Sequence, residues 1–237
     1  ASHPHPPPGR LTAPEPRDRA VPTSLARPVV PAGAVAGPDM TRETPPDPAA
    51  EPAPFRRARD TLRRIREGDP LRPELELEDM PAPQRLAPYA AALAGSVCRD
   101  AEDIAATGRL IVLYDPAGRD GWTGGFRMVA YIQADLEPDI AADELIGGVA
   151  WSWLTEALEP VGYADASGTV TRAVSESFGT KGGDPSATEL EIRASWSPTG
   201  TDLTGHVRAW CEVMCMAAGL PPLGVSALPD RSRRPRP

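Results

Sequence analysis

The stretch DELIGGVAWSWLTEALEPVG, residues Asp143–Gly162, decides the fold. Asp143 suits a first helical turn, where unpaired N–H groups and the helix dipole favour negative charge. One apolar row runs Leu145, Val149, Trp153, Ala157, and a second runs Ile146, Ala150, Leu154, Leu158. Two i,i+4 rows make the broad apolar face of a helix lying on a sheet. Gly147-Gly148 stands out, because a glycine costs about 1 kcal/mol inside a helix. Either another backbone approaches there, or the helix begins only at Val149. Pro160 and Gly162 end it. Trp151 lies on the flank of the face, roughly 200° from Trp153 at about 100° per residue. With Trp153 it reads as a core or rim residue or as part of an aromatic ligand wall.

Strands are expected on both sides of this helix. Leu110–Tyr114 is a continuous apolar run, LIVLY, and reads as a central strand. DPAGRDGWTGG is turn chemistry. Phe126–Leu136 then alternates, with Phe126, Met128, Ala130, Ile132, Ala134 and Leu136 on one side. The two strands form a hairpin with one wetter face, which carries Val129 and Tyr131. After the helix, Thr169–Phe178 reads as a strand nearer an edge, Gly179–Ala187 as a loop, and Glu189–Trp196 as a second alternating strand. Leu203–Ala218 is the closing helix, with Leu203, Val207, Trp210, Met214 and Ala218 along one face. The order is ββα-ββα. It predicts an α+β fold, a four-stranded, mainly antiparallel sheet with two helices packed on one face.

Upstream, FRRARDTLRRIREG over Phe55–Gly68 predicts an arginine-rich helix with a narrow apolar stripe, Phe55, Ala58, Leu62 and Ile65. It docks through that stripe or contacts nucleic acid through its arginines. Glu74, Glu76, Glu78 and Asp79 supply counter-charge nearby, which favours docking. ELELE, Glu74–Glu78, reads as a short edge strand or an extended arm. Pro88 opens a short helix over Tyr89–Ala94, capped by Gly95.

Composition divides the chain further. Residues 1–54 hold 15 of the 30 prolines and no Phe, Tyr or Trp. Such a segment buries too little apolar area to offset its ordering entropy, so disorder is expected over 1–54. Residues 55–228 suffice for one cored domain, and an Arg/Pro tail, 229–237, is expected to be disordered too. Met40 is the first methionine, and the expectation is that translation starts there. Residues 55–228 carry 16 basic and 26 acidic side chains. This net of −10 disfavours nucleic acid, which needs a basic surface. No apolar run reaches the roughly 20 residues of a membrane span. Three cysteines without a signal peptide predict a reducing, cytoplasmic setting.

No catalytic set assembles from the sequence. His206 is the one histidine after residue 5. On a regular helix Cys211 lies roughly 140° and Cys215 roughly 180° around from it, so the three cannot converge on a metal. No metal and no cofactor are expected. GTKGGD, Gly179–Asp184, holds the single lysine, Lys181, but lacks the spacing of a phosphate loop. Two classes of function stay open. One is a non-enzymatic module that binds a protein partner, with Val129, Tyr131 and Trp151 as candidate binding residues. The other is an enzyme of unrecognised type using carboxylates such as Asp115, Glu176, Glu189 or Glu191.

Four separated blocks point to a family: FRRARDTLRRIR, FRMVAYIQADLEPDIAADELIGGVAWSWLTEALE, ELEIRASWSP and HVRAWCEVMCMAAGLPPL. In this order they resemble an actinobacterial family known as domain of unknown function 3000. The resemblance covers most of residues 55–228 and implies a cytosolic bacterial protein. It brings no catalytic residues.

Overall fold

A computed structural model describes residues 51–68, 72–99, 103–179 and 187–221. Six strands form one antiparallel sheet: β1 (Leu75–Asp79), β2 (Tyr89–Cys98), β3 (Ile104–Tyr114), β4 (Phe126–Asp135), β5 (Tyr163–Ser175) and β6 (Ala187–Pro198). Their spatial order is β1-β2-β3-β4-β6-β5. The helices are α1 (Ala53–Gly68), the single turn α2 (Pro138–Ala141), α3 (Ile146–Leu158), which runs into a 3₁₀ turn (Glu159–Val161), and α4 (Thr204–Ala217).

The α+β class agrees with expectation, but the four-stranded ββα-ββα sheet is corrected to six strands. The main error is at Tyr89–Ala94, which is part of strand β2 and not a short helix. Its alanines favour a helix locally, but the segment is paired with β3 along its whole length. Tyr89, Ala91, Leu93, Gly95 and Val97 pair in register with Tyr114, Val112, Leu110, Gly108 and Ala106 of β3. Pairing with a central apolar strand outweighs local propensity. ELELE supplies edge strand β1, with Leu75 and Leu77 inward and Glu76 and Glu78 outward. At the far edge β5 is mostly exposed.

The helices α1, α3 and α4 cover one face of the sheet. Helix α4 crosses β2, β3 and β4, and α3 leans on α4 and β5. Trp196, Trp210, Met128, Ile132, Leu190 and Ile192 are fully buried between the layers. Helix α1 docks through Phe55, Ala58, Leu62 and Ile65, all buried. Phe55 meets Tyr89 at 5.5 Å and Tyr114 at 6.2 Å, centroid to centroid, and Tyr114 meets Phe126 at 4.5 Å. The counter-charge is partly as expected, since Arg66 pairs with Asp79 on β1. Other arginines pair within the helix or just before it, Arg63 with Asp60 and Arg59 with Glu51.

In α3 the row Ile146, Ala150, Leu154, Leu158 is buried as expected. The other row is corrected. Leu145 is 71% and Val149 39% exposed, and Trp153 is only partly buried. The helix begins at Ile146, before Val149. Asp143 still helps to open it, its carboxylate accepting the Leu145 N–H at 2.8 Å. Close backbone approach does not explain Gly147-Gly148, because a Cβ on either would meet nothing within 4 Å. The expected loop Gly179–Ala187, with Lys181, and the segments 1–50 and 222–237 lie outside the described residues, apart from Gly179 and Ala187 at its two ends.

Candidate functional site

The second face of the sheet carries no helix among the described residues. Strand pleating places alternate side chains there, and the register aligns them in rows. One row reads Glu78, Ala94, Arg109, Tyr131, Arg193, Thr169 from β1 to β5. The next reads Glu76, Ser96, Thr107, Gln133, Glu191, Thr171. On the other side lie Ala92, Ile111, Val129, Ser195 and Ser167. The face is hollow over β2 and β3, where Ala94, Ser96 and Thr107 are short. Glu76 and Glu78 wall the hollow on one side; Arg109, Tyr131 and Arg193 wall it on the other. The space is about 690 Å³.

Tyr131 is the hub. Its hydroxyl has one proton to donate and two acceptors in reach, the Glu191 carboxylate at 2.9 Å and the Gln133 amide oxygen at 3.0 Å. Burial and the neighbouring Glu191 carboxylate push its pKa up, so it stays a neutral donor. The Arg193 guanidinium lies 5.5 Å from the ring centroid and pairs with Glu191 at 3.0 Å. Glu189 accepts from Gln133 Nε2 at 3.1 Å. Arg109 is exposed and makes no hydrogen bond or ion pair among the described residues.

At the end of the face Arg127 is 9% exposed. It donates to the hydroxyls of Ser195 at 2.7 Å and Ser197 at 3.2 Å. Burial lowers its pKa, and Asp165 opposes that shift. Asp165, at φ +53°, holds Thr123 Oγ1 at 2.6 Å, which ties the β3–β4 turn to β5. Sequence reasoning missed Arg127 and Arg109. Both sit at polar positions of alternating strands, and only the pairing of β2 and β6 with β3 and β4 makes a site of them.

Of the candidate binding residues, Val129 and Tyr131 sit together on this face. Trp151 does not join them. It lies on α3, on the covered side, where its ring packs over Gly168; a Cβ there would come within 2.7 Å of it. The candidate carboxylates are also dispersed. Glu189 and Glu191 share the open face. Asp115 closes the turn after β3, accepting from the Ala117 N–H and Arg119 Nε, each at 3.0 Å. Glu176 follows β5. His206, Cys211 and Cys215 are buried in α4, and no group of three or more His, Cys, Asp and Glu residues among those described is placed to hold a metal. Burial pushes the Cys215 thiol up to about 11 and the Cys211 thiol higher still. No described helix is long and apolar enough to cross a membrane.

Comparison with curated proteins and with solved structures finds no match. One family does match, over residues 51–226, which spans every described element. The chain belongs to the family described as protein of unknown function (DUF3000).

Proposed function

We propose that the chain is a non-enzymatic binding module and that the uncovered sheet face is its binding surface, with Val129 and Tyr131 at the centre. The observation that carries this is the row Arg109–Tyr131–Arg193, bordered by Ile111 and Val129, above a hollow of about 690 Å³. A half-buried aromatic with apolar neighbours and arginines is the composition of an interface centre. Two of the candidate carboxylates are already engaged, Glu191 by Tyr131 and Arg193 and Asp115 by its own turn, which supports binding over acid–base chemistry. Described Cys98, Cys211 and Cys215 are all free thiols, which supports a reducing, cytoplasmic setting.

The test is quantitative capture from native cells with tagged wild type, Tyr131→Ala/Val129→Ser, and Arg57→Ala on the exposed side of α1 as control. A partner retained by wild type and control and lost by the face variant is the expected result. A partner set unchanged by the face variant removes the reading. Turnover of a small molecule abolished by Glu191→Gln would favour the enzyme instead.

A further inference from the structure

Resting on that reading, we infer that the face takes an acidic, aliphatic segment of a partner protein, seated on Arg109 and Arg193. The described chain is acidic, yet Arg109, Arg127 and Arg193 stand on three adjacent interior strands of this face, β3, β4 and β6. Arg109 and Arg127 make no ion pair among the described residues. Arg109 has no partner among the described residues. Arg193 shares Glu191 with Tyr131. Arg127 is held by hydroxyls, and the charge of Asp165 acts against its burial. Carboxylates from outside would therefore meet exposed Arg109, which has no partner to give up, and Arg193, which Glu191 and the Tyr131 ring hold in place, and would form charge-assisted pairs with them.

Geometry sets the spacing. Arg109 and Arg193 flank Tyr131 in register two strands apart, which is about 9.6 Å at about 4.8 Å per strand. A segment in the polyproline II conformation, with three residues per turn at about 3.1 Å each, covers that in one turn and returns its side chains to the same side. The segment therefore carries Asp or Glu at positions i and i+3. An aliphatic side chain beside them packs on Ile111 and Val129, the adjacent row. A small molecule would leave most of its surface in water on such a trough, whereas ligand pockets enclose theirs. A nucleic-acid strand fits poorly. Its unbroken phosphates would run onto Glu76 and Glu78 at one end and Glu191 at the other, and polyanion binding depends on a continuous cationic track.

The experiment is panning of a random twelve-residue peptide library on the full chain, followed by fluorescence polarisation of the enriched peptides. Enriched peptides with two acidic residues three apart and a neighbouring aliphatic are expected. Arg109→Glu or Arg193→Glu should weaken them at least tenfold, and a peptide with Lys for one acidic residue should regain binding to Arg193→Glu. Arg57→Glu should change nothing. Urea midpoints close to wild type establish that the variants fold. Neutral or basic peptides lost on Tyr131→Ala would overturn the acidic segment while leaving the face a binding surface. No enriched peptide, or peptides indifferent to every face substitution, would overturn both. Binding of a twelve-residue oligothymidylate as tight as the best peptide would assign the arginines to nucleic acid and overturn the inference.

Discussion

The backbone of Gly108 lies directly against the indole of Trp210: a Cβ on Gly108 would come within 3.0 Å of Trp210 Cζ2 and 2.6 Å of Met214 Sδ. Gly95, its partner on β2, has 3.0 Å to the same ring. This glycine pair is the seat that lets α4 sit down on the sheet. A methyl group at Gly108 must displace a fully buried ring or a buried methionine. Gly108→Ala should cost about 1–3 kcal/mol, the range for overpacking.

Gly147→Ala and Gly148→Ala should do the opposite. Both stand in α3 with nothing within 4 Å of the added Cβ. Alanine there should stabilise the domain by about 0.4–1 kcal/mol, through helix propensity and a less free unfolded chain. Urea midpoints of the three variants test the contrast. A destabilised Gly148→Ala would mean that something packs on α3 that the chain alone does not provide.

Tryptophans separate in the same way. Truncating fully buried Trp210 to alanine should cost about 3–5 kcal/mol. Trp153→Ala, at a half-buried site, should cost about 1–2 kcal/mol. Phenylalanine discriminates further. Trp196 Nε1 donates to His206 Nδ1 at 3.2 Å, while buried Trp210 Nε1 has no partner among the described residues. Trp196→Phe strands a buried acceptor and should cost more than Trp210→Phe. Equal losses from the two would show that the Trp196–His206 bond adds nothing.

These residues also show how far the sequence could be read. Strands β4 and β6 and helices α1 and α4 carry their burial in their periodicity, and their inward faces were legible, whereas the β3 run Leu110–Tyr114 was legible as a strand without a face and its first half, residues 104–109, was not read. The i,i+4 rows of α3 were legible as apolar, but not which one meets the sheet. That depends on the angle set by α4 and by Arg172 of β5, which donates to the carbonyls of Ala141 and Asp143. Strand β2 was illegible because alanine and glycine carry little periodic contrast, and the missing side chain of Gly95 makes sense only beneath Trp210. Val129 and Tyr131 were visible as a wetter strand face. Arg109 and Arg193 became their neighbours only through long-range pairing.

Thiol reactivity reports on α4. Cys211 and Cys215 are buried and their thiols are held protonated, whereas Cys98 is partly exposed at the end of β2. The thiolate is the reactive form. An aromatic disulfide reagent at pH 8 should modify one thiol of the native chain quickly and all three in urea. The two slow thiols should react at the rate at which α4 opens. Three fast thiols in the native chain would mean that α4 is not seated on the sheet.

Acid should loosen the domain through His206. The ring is 1% exposed, and burial holds its pKa at about 4, below the usual 6.5, with Asp202 opposing the shift. The Trp196 N–H occupies Nδ1, so a proton placed there would break that bond. The unfolded chain therefore takes up this proton first. Between about pH 6.5 and pH 4 the unfolded state binds more protons, and stability falls as pH falls, by at most about 1.4 kcal/mol per pH unit for one proton. Above pH 6.5 the contribution is complete. Asp202, its own pKa lowered chiefly by Thr204, acts only at lower pH. Urea unfolding at pH 7, 6 and 5 stays above most carboxylate titration. Wild type should lose stability across that range, and His206→Gln, though less stable throughout, should lose much less. Parallel pH profiles for the two would place the acid sensitivity elsewhere.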